Sequence, residues 1–78
     1  MNLNKAEQTF YAQIGASIRG VREQQNKTPQ EMAMILGVPV TTYMNFESGA
    51  DPISLFQMYM IINATQPELI TPGLWPQI

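Results

Sequence analysis

Residues 37–49 read GVPVTTYMNFESG, and their reading decides the fold. Gly37 can adopt the left-handed conformation that closes a preceding helix. Pro39, two residues later, cannot continue that helix but can open the next one. Val40 to Glu47 then form a short helical stretch, with Gly49 as its stop. Val40, Thr41 and Thr42 are β-branched and poor helix formers, so tertiary packing must hold this helix together. Neither lysine nor arginine occurs in the stretch, nor anywhere after it.

Working outward, the segment before Gly37 carries the strongest helix-start signal of the chain. In Thr28-Pro29-Gln30-Glu31, threonine can cap, proline suits the first helical position and glutamate closes the box. Met32, Ala33, Ile35 and Leu36 supply the buried side. Further upstream, Asn4 and Glu7 repeat the capping-box pattern. Phe10, Ile14, Ile18 and Val21 then recur at helical spacing, which predicts a first helix fading near Gln24 to Asn26. Gly20 lies within that helix and weakens it slightly. Downstream, Asp51-Pro52 or Ser54 opens a fourth helix through about Asn63, with Leu55, Met58, Ile61 and Ile62 as its inner stripe. Thr65-Gln66-Pro67-Glu68 repeats the capping pattern and predicts a short fifth helix. Pro72-Gly73 turns the chain into an apolar tail. No stretch competes as a strand, so the expected fold is an all-α bundle of about five short helices.

The bulk properties narrow the classes. Seventy-eight residues make one small domain with a marginal core. An apolar share of 45% against 13% charged residues describes a folded chain. The six methionines suit a core or contact surface that packs irregularly. The absence of histidine and cysteine removes the common general base, disulfides and the usual zinc ligands. With a single aspartate as well, no catalytic constellation can be assembled, and no enzyme, metal site or cofactor is expected. The N-terminus has no signal-peptide core, which implies a cytoplasmic location. Charge is polarised. Lys5, Arg19, Arg22 and Lys27 are the only cations, and residues 28–78 carry Glu31, Glu47, Asp51 and Glu68 alone. Nucleic-acid binders normally display a basic face, and this chain has little from which to build one.

Taken together, Ile14, Ile18 and Arg22, then Thr28, Glu31, Met32, Ala33, Leu36, Gly37 and Val38, then Phe46, Glu47, Ser48 and Gly49 form a pattern. It resembles the phage repressor, Cro and Xre-type helix-turn-helix family, the lambda-repressor-like DNA-binding domains. The physics agrees: Ala33 is small where two helices approach, and Met32, Leu36, Val38, Tyr43 and Phe46 are spaced to close a core between helices two and three. The resemblance implies a helix-turn-helix domain over residues 14–65, extended by residues 1–13 and followed by a short helix and apolar tail over 66–78.

The resemblance also implies roles. Arg22 and Glu47 would form an ion pair locking helix one to helix three. Val40, Thr41, Thr42 and Asn45 would contact base edges. Asn45 could pair with adenine, and the Val40 and threonine methyls could touch thymine methyls; the plain alternative is a solvated helix face. Arg19, Lys27, Gln30 and Ser48 would hold phosphates. The family often has glutamine where Pro29 stands, and an apolar residue where Lys27 stands. Val40 and Met44 are expected on the outside of helix three, where they suit a protein contact as well as a groove. Phe10 and Tyr11 in the N-terminal extension could bind a partner, or cover the same surface as the C-terminal tail. Leu69, Ile70, Leu74, Trp75 and Ile78 are expected to make a homodimer contact, or to fold back over the chain's own core. The expected function is a small transcriptional regulator that binds duplex DNA weakly as a homodimer. The alternative is a protein-interaction module on the same fold that has lost DNA binding and acts on another regulator.

Overall fold

The computed structural model describes residues 3–66. They form four helices: α1 (Lys5–Gln24), α2 (Pro29–Leu36), α3 (Val40–Ser48) and α4 (Leu55–Thr65). No strand occurs among the described residues.

The helix starts follow from local chemistry. Asn4 Oδ1 accepts from the Glu7 N–H at 2.8 Å, and the Glu7 carboxylate accepts from the Asn4 N–H at 3.0 Å. Thr28 and Glu31 make the same reciprocal pair at 3.1 and 2.8 Å, as do Ser54 and Gln57 at 3.0 and 2.9 Å. Each box satisfies amides that the first turn leaves without partners. The Thr28 bonds also hold the Glu31 carboxyl below the usual carboxylate range.

The first three helices end alike. Asn26, Gly37 and Gly49 adopt positive φ, and the next amide reaches back to a carbonyl five residues earlier. These bonds run from Lys27 to Arg22, from Val38 to Ala33 and from Ala50 to Asn45. This is the left-handed C-terminal closure that glycine and asparagine favour.

The core gathers Ile18 of α1, Met32, Ala33 and Leu36 of α2, Tyr43 and Phe46 of α3, Ile53 of the α3–α4 loop and Ile61 of α4. Met32 and Tyr43 are fully buried. α3 is sandwiched between α1 and α2, while α4 packs chiefly on α2 and makes only a small contact with α1.

The seam between α1 and α3 is unusually close. A Cβ at Gly15 would lie 2.3 Å from the carbonyl oxygens of Phe46 and Glu47. One at Gly49 would lie 2.6 Å from the Ala12 backbone. Two backbones therefore meet where only glycine fits. Ala12 and Tyr11 belong to this contact, so part of the N-terminal extension is built into the packing.

Several expectations need correction. Phe10 is 54% exposed, and Tyr11 packs against the core in its place. Leu55 is not part of the inner stripe of α4: at the first position of the helix it is 71% exposed. Ile53, one residue before the cap, fills that end of the core instead. α3 runs one residue further, to Ser48, and α4 runs to Thr65. Thr65 is the last residue of α4; it is buried, and its hydroxyl donates to the Ile61 carbonyl at 2.7 Å. Four helices are present among the described residues. The rest of the expected fifth helix, and Leu69, Ile70, Leu74, Trp75 and Ile78, lie outside them.

Candidate nucleic-acid interface

The best-defined feature around α3 is a polar network that joins it to α1. Arg22 Nε donates to Glu47 Oε2 at 2.6 Å, and Nη2 donates to Oε1 at 3.3 Å. Both side chains are largely buried. The paired oxygens match the guanidinium fork, which fixes orientation as well as charge. Two further partners complete the network. Arg22 Nη1 donates to the Lys27 carbonyl at 3.0 Å, and the Tyr43 hydroxyl donates to Glu47 Oε2 at 2.5 Å. Burial and the neighbouring carboxylate push the Tyr43 phenol well above its ordinary value. The hydrogen bond to Glu47 raises Arg22 further, so this guanidinium stays charged. Neither Tyr43 nor Lys27 belongs to the motif that pairs Arg22 with Glu47. The four-residue spacing of Tyr43 and Glu47 puts them on one helix face and could have indicated the first bond. The second depends on the α1–α2 turn, which periodicity does not describe.

Above this network lies an open concavity of about 340 Å³, lined by Arg19, Arg22, Pro29, Met44, Glu47 and Ser48. It brings together two of the four expected phosphate-holding residues, Arg19 and Ser48. Lys27 and Gln30 do not line it. Arg19 is exposed and bonded to Glu23 at 3.3 Å, a solvated pair one helical turn apart. The Ser48 hydroxyl donates to the Asn45 carbonyl at 3.1 Å and accepts from the Ala50 N–H at 3.3 Å. Its proton is thus engaged in closing the end of α3.

The expected base-contacting residues fall into different settings. Thr41 is exposed and Thr42 half-buried. Val40 is half-buried and packed against the core, not free on the outside as expected, because the first turn of α3 leans on α2. Met44 is exposed, as its place in the pattern implies. Asn45 is exposed, but its side-chain amide donates to Asp51 Oδ2 at 3.1 Å. The donor an adenine contact would use is therefore held by the loop after α3. Asp51 also sets a negative charge beside the reading face. Nothing in the helical pattern signals this bond, since it spans the turn at Gly49.

Comparison with protein-family models, curated proteins and solved structures finds no match. Among the described residues, no group of acidic side chains could hold a metal ion, and no helix is long and apolar enough to cross a membrane.

Proposed function

We propose that this protein is a cytoplasmic transcriptional regulator that binds duplex DNA weakly through a helix-turn-helix formed by α2 and α3. The observation that carries this reading is the α2–α3 unit itself. A left-handed Gly37 joins two short helices, Ala33 is buried at their crossing, and Arg22 clamps Glu47 at the far end. The surface this unit offers, Thr41, Thr42, Met44 and Asn45, has the mixed polar and apolar chemistry of a groove-reading face. A homodimer would present two such faces to successive major grooves. Arg19, Lys27 and Gln30 supply the backbone contacts, with a salt slope equivalent to roughly 2–4 phosphates per protomer.

A second reading, a protein-interaction module, is favoured by one specific observation: Asn45 is tied to Asp51 on a helix that carries no cation of its own. Titration of labelled duplexes at low and moderate salt separates the two. Saturable, salt-sensitive binding supports the DNA reading, and none at low salt sinks it. With binding in hand, Asn45→Ala relaxes sequence preference, while Lys27→Ala weakens all sequences alike.

A further inference from the structure

α1 and α4 make only a small contact, and an apolar groove of about 220 Å³ opens between them. Ile14 and Val21 form one wall, Met58 and Ile62 the other. None of the residues lining it carries a charge. The two hydroxyls on its lining are both satisfied within their own helices. Ser17 donates to the Gln13 carbonyl at 3.2 Å and Thr65 to the Ile61 carbonyl at 2.7 Å. The groove therefore asks for an apolar occupant. An engineered apolar cavity of roughly 150 Å³ holds a benzene molecule, so this space can receive an aromatic side chain.

We propose that the occupant is the chain's own segment 67–78, seated in the α1–α4 groove of the same molecule with Trp75 as its largest filler. Gln66, the residue from which that segment departs, itself lines the groove. The segment reads PELITPGLWPQI, with Leu69, Ile70, Leu74, Trp75 and Ile78 against a single charge at Glu68. Twelve residues reach up to about 40 Å when extended, far more than the groove requires. Pro67, Pro72 and Pro76 restrict the free segment and so reduce what ordering it costs. Tethering at Gln66 gives an effective concentration on the order of millimolar, above that of a second copy at micromolar protein. The assignment goes beyond the DNA reading and is tested without DNA.

Trp75 is the only tryptophan, so its fluorescence reports on the segment directly. In the intact chain its emission is blue-shifted from that of free indole and shielded from acrylamide, unchanged on dilution through the micromolar range. Ile62→Glu places a charge in the groove; it shifts the emission to the free-indole position and raises quenching severalfold. Ser17→Glu alters an exposed lining residue and does the same with helical circular dichroism retained, which covers the case in which Ile62→Glu fails to fold. Phe56→Glu, an exposed site outside the groove, leaves the spectrum alone. A solvent-exposed Trp75 in the intact chain overturns the assignment. So does a response to Phe56→Glu without one to Ser17→Glu. A spectrum that changes on dilution moves the segment to a second copy and overturns it as well.

Discussion

α1 has two neighbours across the bundle, and it meets them in opposite ways. Against α3 the contact is backbone to backbone at Gly15 and Gly49, closed by the buried Arg22–Glu47–Tyr43 network. Against α4 the contact is sparse, and an apolar groove remains between the two. The seam is specified by shape and by directional bonds, so a single methyl group can break it. The groove is specified by apolar character alone, so many side chains could fill it. The difference teaches where this small protein places its uniqueness: at the junction that fixes the angle of α3, and hence the direction in which its outer face points.

The most severe way to break the seam is Gly15→Ala. The added methyl meets two carbonyl oxygens that belong to a helix and cannot rotate away. We expect a loss of at least about 3 kcal/mol, the upper part of the range for overpacking. A urea midpoint indistinguishable from wild type would show that α1 and α3 part without cost.

Next comes Arg22→Met, which keeps apolar bulk but leaves Glu47 unpaired. Removing one partner of such a pair costs about 3 kcal/mol. The double variant with Glu47→Gln recovers part of this loss, because no buried charge is then left alone. No recovery would mean that Arg22 acts through packing.

Tyr43→Phe is milder: it deletes a hydrogen bond to a charged group and costs roughly 1.5 kcal/mol. It also carries a pH signature. The folded state favours the neutral phenol, since burial and Glu47 raise its pKa. Its contribution is therefore complete below the unfolded tyrosine value of about 10 and is lost as pH rises toward the higher folded value. Denaturant midpoints followed from neutral pH upward should fall more steeply for wild type than for Tyr43→Phe. Parallel curves would remove the phenol from the alkaline response.

The smallest effect sharpens the comparison on one helix. Gly20 lies five residues after Gly15, yet a Cβ there meets nothing within 4 Å. Gly20→Ala should stabilise by about 0.5–1 kcal/mol through helix propensity alone. Opposite signs at these two glycines would confine the steric demand to the seam. A loss at Gly20 would reveal a contact on the open side of α1.

Much of the frame was legible in the residues. Asn4, Thr28 and Ser54 announce helix starts because a side-chain oxygen three residues before a free amide has a local job. Gly37 and Gly49 announce stops because few other residues accept positive φ. Arg22 and Glu47 were paired through a family resemblance, and the bond between them is among the shortest described. What misled was the assignment of faces at helix ends. Phe10 and Leu55 have the right spacing but sit where no described element covers them. Ile53 has no periodic signal because it lies in a loop. In the candidate site, exposed Thr41 could be read from helical spacing, whereas the Asn45–Asp51 bond could not.

The sequence by itself determined the four described helices and the stops at Gly37 and Gly49, since capping bonds and left-handed closures act within five residues. It also determined the scarcity of cations, which limits any contact with phosphate. Only the tertiary structure decided that Gly15 is indispensable in shape while Gly20 is not, that Val40 is half covered, and that the Asn45 amide is held by Asp51. Each of these depends on which backbone passes within a few ångströms of another, and that distance is set by the packing of the whole bundle.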